Sequence, residues 1–153
     1  MGLTIVLGYD GSDCAQAALA RSADLLRQTG GKVVVVVAYP MSAAYVPTAG
    51  VAGAPMLMGS ELQDHIDMLQ ETARQQAEEA REELRGMGIE VETEITAEPA
   101  AEALLDAAGR HAADFIAVGT HGEGAISGTL LGSTSYRLVH RSRLPLLIVP
   151  LRD

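Results

Sequence analysis

The chain contains no tryptophan, one phenylalanine and one cysteine, and Lys32 is its only lysine. Each scarcity excludes something. With aromatics at 3% of 153 residues, the stacking platforms that hold single-stranded nucleic acid are largely missing. A net charge of −9 argues against a general nucleic-acid or anionic-membrane surface. It leaves room for a local anion site, because backbone dipoles need no net basic charge. Cys14 has no partner for an intramolecular disulfide, which suits a reducing compartment. No basic segment precedes an apolar one at the start, so no signal peptide is expected. The longest apolar run, Val33 to Tyr39, is too short to span a bilayer. A cytoplasmic protein with no membrane and no nucleic-acid partner is the expectation.

What is abundant is aliphatic and small. Hydrophobic residues make up 48%, enough for a core of Val, Ile, Leu and Ala, and the length suits one domain over 1–153. Leu3 to Leu7 reads as a buried strand. Gly8-Tyr9-Asp10-Gly11-Ser12 closes it, with Asp10 and Ser12 both plausible N-caps. Asp13 to Gln28 has helical spacing, ended by Gly30-Gly31. Val33 to Ala38 lacks polar alternation, as a parallel strand covered on both faces does. Residues 41–60 are rich in Pro, Gly and Met and read as a mobile loop. Met56 and Met58 there fit a partner surface or a fold-back onto the core equally well.

Ser60-Glu61-Leu62-Gln63 predicts a capping box with Ser60 at the cap. Leu62, Ile66, Leu69, Ala73, Ala77, Ala80 and Leu84 then mark one face of a long amphipathic helix. The charge run Glu78 to Arg85 reads as its solvated face. Ile89 to Ile95 alternates, which predicts an edge strand with one wet face. Pro99 is expected at the N1 position of a helix over Ala100 to Arg110. Phe115 to Val118 is a fourth strand, Ser135 to Arg143 a helix, and Leu144 to Pro150 a fifth strand at an edge. Strands alternating with helices predict an α/β fold: an open five-stranded parallel sheet with helices on both faces, Rossmann-like. In such sheets ligands bind at the carboxyl ends of strands, where the winding reverses. The loops after the first and fourth strands are the best candidates to flank that point, with Asp10 facing the Gly119 loop.

The richest stretch runs from Val118 to Ser135. A strand leads into a glycine-rich loop and then into the hydroxyls Ser133, Thr134 and Ser135 at a helix start. Glycines let backbone N–H groups approach an anion, and a helix N-terminus offers unpaired donors. It is not a Walker A loop, since Gly-Lys-Ser/Thr occurs nowhere. It is not the dinucleotide fingerprint either: Gly122, Gly124 and Gly128 are spaced one residue too long. His65, His111 and His140 lack zinc-ligand spacing. No Gly-x-Ser-x-Gly is present. No catalytic residue and no metal ligand is therefore assigned. His121 reads as a loop residue making a hydrogen bond rather than a base, and Cys14 as an inert buried thiol.

The pattern Gly119-x2-Gly122-x9-Gly132-Ser133 resembles the nucleotide-binding signature of the universal stress protein family. Val-Leu-Gly-Tyr-Asp-Gly-Ser after the first strand and the final Leu-Pro-Leu-Leu-Ile-Val-Pro fit the same frame, so the likeness covers nearly the whole chain. The resemblance implies an adenine nucleotide alpha hydrolase-like fold. It implies ATP, with or without Mg²⁺, as the ligand. Asp10 then contacts the adenosine, with Gly8 and Tyr9 beside it. Ala38 lines the adenine pocket, and Val118 and Gly119 the adenine and ribose side. Gly122, Gly132, Ser133, Thr134 and Ser135 hold phosphates, with His121 in the same loop. The family also implies a homodimer through the last strand, Leu146 to Val149, and an unidentified regulatory partner. Glu123 departs from the pattern, since many relatives carry a basic residue there. Tyr9 stands where smaller residues are common. The functions that follow are a nucleotide-dependent stress-response module, a slow ATPase or phosphotransfer enzyme, or a structural dimer that binds no nucleotide. The missing loop lysine weighs against efficient catalysis, and the intact glycine spacing against the third.

Overall fold

The computed structural model describes residues 2–41, 59–122 and 131–151. The strands are β1 (Leu3–Gly8), β2 (Gly31–Ala38), β3 (Glu90–Thr96), β4 (Phe115–Gly119) and β5 (Leu146–Val149). The helices are α1 (Asp13–Thr29), α2 (Ser60–Gly86), α3 (Ala100–Arg110) and α4 (Ser133–Arg141). The strands form one sheet in the order β3-β2-β1-β4-β5, parallel throughout. This is the expected α/β architecture.

The continuous aliphatic runs follow from burial on both faces. Successive strand side chains point to opposite sides. Ile5, Leu7, Val33, Val35 and Val37 pack with Ala18, Leu19, Ala77 and Leu84 of α1 and α2. Val6, Val34, Val36 and Ile116 pack with Leu104 and Ala107 of α3 and Leu138 of α4. Every residue from Val33 to Val37 is buried. That leaves no position for a polar residue, so alternation is absent.

Both edges are where the pattern predicts them, at β3 and β5. On the wet face of β3, Glu92 pairs with Lys32 at 2.5 Å, and Glu94 pairs with Arg110 and with His111, the latter at 2.6 Å. Among the described residues no helix is long and apolar enough to cross a membrane.

Several helix ends differ from the spacing-based expectation. Gly59, with φ 66°, takes the cap of α2, and Ser60 is the first helical residue with no capping bond. Gln63 instead reaches forward to Asp67 at 2.8 Å. A left-handed entry that glycine adopts readily displaces the capping box. Pro99 is the cap of α3 rather than its first residue, because its ψ of 141° is extended. Helix α4 starts two residues earlier than Ser135, since Gly132 holds the extended cap conformation. The Glu78–Arg85 run is only partly a solvated face: Glu83 accepts from Gln16 and Arg81 donates to Thr93. The expected loop over 41–60, with Met56 and Met58, lies almost wholly outside the described residues.

Candidate functional site

The strand order reverses direction at β1: the chain winds out through β2 to β3, then returns to β4 and β5. The crossovers leaving β1 and β4 diverge, and a crevice opens at the carboxyl ends of these strands. A cavity of about 590 Å³ occupies it, within the usual range for a small-molecule site. Gly8, Tyr9 and Asp10 line it from the end of β1, Ala38 from β2, and Val118, Gly119, His121 and Gly122 from β4 and its loop. Gly132, Ser133, Thr134 and Ser135 line it from the start of α4. All twelve positions singled out by sequence therefore surround one space.

Asp10 sits on the β1–α1 turn. Its Oδ1 accepts from the Ser12 N–H at 3.0 Å, and Ser12 Oγ accepts from the Ala15 N–H at 3.2 Å. Ser12 is thus the N-cap of α1, and Asp10 orders the turn before it. The other carboxylate oxygen faces the β4 loop: a Cβ on Gly122 would lie 2.7 Å from Asp10 Oδ2. The two loops approach this closely because Gly122 has no side chain. Tyr9 is buried against α1 and α2. Its hydroxyl donates to Gln16 Oε1 at 2.7 Å. Burial, then the carboxylates of Glu79, Glu83 and Asp10, push its pKa up, so the phenol stays neutral.

The geometry gives Gly119 a packing role beside its place in the lining, and it redirects the Ser135 hydroxyl. A Cβ on Gly119 would fall 2.5 Å from Cys14 Cβ and 2.6 Å from the Cys14 carbonyl carbon. The absent side chain lets the first turn of α1 lie against β4, and Gly119 lines the cavity as well. The Ser135 hydroxyl, in a residue only 2% exposed, donates to the Gly119 carbonyl at 2.8 Å. It stitches α4 to β4 rather than facing a phosphate. The Gly132 N–H makes a second stitch, to the Thr120 carbonyl at 2.7 Å. A Cβ on Gly132 would lie 3.2 Å from that carbonyl oxygen. Ser133 is exposed and Thr134 half-buried. With the N-terminal amides of α4 they are the donors best placed for an anion.

Cys14 is buried, as expected, with Sγ 3.7 Å from Thr120 Oγ1. His121 Nδ1 lies 3.1 Å from the same hydroxyl. No lysine or arginine lines the cavity among the described residues. Lys32 is at the start of β2, the opposite end of the sheet, paired with Glu92. Among the described residues no cluster of His, Cys, Asp or Glu could hold a metal ion. Glu123 lies outside them. Sequence spacing also missed residues. Among the described residues Ala15, Val36, Pro40, Ala100 and Leu104 also line the cavity, and Gln76 of α2 donates to the Asp10 carbonyl at 2.8 Å. These are ordinary core and helix positions whose proximity only the topology creates.

Comparison with known proteins places this geometry in context. The family model described as universal stress protein family matches residues 1–150. A universal stress protein of Thermus aquaticus is 34% identical over 146 residues, covering 95% of this chain and 97% of the relative. The solved structure of hypothetical protein MJ0577 superposes with a TM-score of 0.84 at 22% identity, covering 100% of this chain and 99% of the other. A universal stress protein solved in complex with cAMP superposes with a TM-score of 0.63 at 25% identity, over 99% and 98% of the two chains.

Proposed function

The chain belongs to the universal stress protein family, and from that premise we propose that it binds an adenine nucleotide in the crevice between β1 and β4. The observation that carries this reading is the cavity lined together by Asp10, Ala38, Val118, Gly119, His121, Gly122 and the start of α4. The relative at 25% identity that was solved with cAMP supports the same ligand class. In this reading the base enters beside Ala38 and Val118, the sugar meets Asp10, and phosphate oxygens meet Ser133, Thr134 and the helix amides.

ATP is the nucleotide we assign, with Mg²⁺ accompanying it. Without a lysine or arginine in the described lining, a polyphosphate needs another source of positive charge. The protein then acts as a nucleotide-dependent regulatory module in the cytoplasm, paired with a second copy through β5. Slow hydrolysis is the alternative. Phosphoryl transfer needs placed cations and a group that orients water, and the described lining offers neither a lysine nor an arginine.

Isothermal calorimetry with ATP and Mg²⁺ tests the proposal and should give a saturable complex. Absence of both heat and thermal shift at millimolar nucleotide would overturn it. Phosphate release over many turnovers, faster than background, would favour the enzyme instead.

A further inference from the structure

Helix α2 holds the Asp10 turn through a side-chain hydrogen bond. Gln76 Nε2 donates to the main-chain carbonyl of Asp10 at 2.8 Å, across 66 positions of sequence. The same amide lies over Gly11, whose φ is +77°. A Cβ on Gly11 would be 3.1 Å from Gln76 Nε2 and 3.5 Å from its Cγ. On α2, Ala73, Ala77 and Ala80 are buried against the core. Gln76, half-buried, borders that row and so projects from an anchored backbone.

Three constraints then converge on one short turn. The Asp10 carbonyl is held by Gln76, Oδ1 by the Ser12 N–H at 3.0 Å, and the Gly11 backbone by its left-handed conformation. Oδ2 lies beside Gly122, and Asp10 lines the cavity. The glutamine amide supplies the donor that the Asp10 carbonyl accepts from. Glutamate would place a second acceptor there, and methionine would fill the volume without a donor.

We propose that Gln76 is a positioning residue for nucleotide binding, fixing the Asp10 peptide so that the carboxylate meets the nucleoside. This rests on the adenine-nucleotide reading of the cavity. Gln76 does not line the cavity and acts only through Asp10. A helix that follows residues 42–58 in sequence is thereby coupled to the ligand. The site thus depends on a helix that spacing does not assign to it.

A double-mutant cycle tests it. ATP with Mg²⁺ is titrated calorimetrically into wild type, Gln76→Met, Asp10→Ala and the double variant, with thermal midpoints measured alongside. Gln76→Met should weaken binding about fivefold, the net worth of one hydrogen bond. In the Asp10→Ala background it should change nothing further. Wild-type affinity in Gln76→Met, or penalties that add in the double variant, would overturn the proposal and leave the cavity reading intact. A wild-type protein that binds no nucleotide would overturn both.

Discussion

Gly119 and Gly122 belong to one motif in sequence, yet substitution at each should fail in a different way. A Cβ on Gly119 would stand 2.5 Å from Cys14 Cβ, 2.6 Å from Cys14 C and 2.8 Å from Cys14 O. Ordinary carbon contacts are about 3.5–4.0 Å, so the first turn of α1 must retreat by about 1 Å. Two of the obstructing atoms are backbone, and no rotamer change relieves them. Overpacking of this kind costs roughly 1–3 kcal/mol, and a backbone obstacle places Gly119→Ala at about 2–3 kcal/mol. For a chain of this size that lowers Tm by about 4–12 °C. Among the described residues, a Cβ on Gly122 meets only Asp10, with Oδ2 at 2.7 Å and Cγ at 3.9 Å. That carboxylate can rotate away. Gly122→Ala should therefore turn Asp10 out of the site, costing no more than about 1 kcal/mol for the Ser12 N–H bond given up, and weaken ATP about tenfold, as loss of a charged hydrogen bond does. Scanning calorimetry and nucleotide titration of the two variants separate the effects. A Gly119→Ala protein that melts with wild type, or a Gly122→Ala protein equally destabilised, would refute the assignment of the two glycines.

Ser135→Ala should cost about 1–2 kcal/mol in urea unfolding, because it leaves the Gly119 carbonyl without its 2.8 Å donor; an unchanged midpoint would show that the stitch contributes nothing. Burial pushes the Glu94 pKa up, but hydrogen bonds from His111 and Arg110 outweigh it and hold the carboxyl below its ordinary value. Stability from that group is fully present above the ordinary glutamate value of about 4.3 and is lost as pH falls through the lower folded value. Glu94→Gln should flatten the acid limb of urea midpoints relative to wild type, and parallel limbs would contradict the ion-pair account. Leu147→Lys, on the edge strand β5, should yield a monomer by sedimentation equilibrium if two copies pair there. A dimer that persists at an unchanged thermal midpoint would rule out that edge.

The sheet was legible because its strands are buried on both faces. The Val33–Val37 run and the Phe115–Val118 run have no other economical location than the middle of a parallel sheet. The alternating Glu90-Val91-Glu92 pattern likewise marks an edge. Helix starts were less legible, because several residues near one another could cap. Glycine at position 59 competed with Ser60, and Gly132 with the hydroxyls after it. Within the site, spacing assembles the lining positions but does not say which way each group points. Gly119 lines the cavity and also lets α1 pack against β4, and the Ser135 hydroxyl is spent on the Gly119 carbonyl; neither use is visible in sequence. Gln76 carries no local signal at all, since its role arises from a contact across 66 positions.

The most direct test is a two-dimensional amide NMR titration with ATP and Mg²⁺. The account predicts saturable shifts clustered at Gly8 to Asp10, Ala38, Val118 to Gly122 and Gly132 to Ser135, with the far strand ends near Lys32 and Glu92 unmoved. No shifts at millimolar nucleotide, or shifts centred on another face of the sheet, would contradict it.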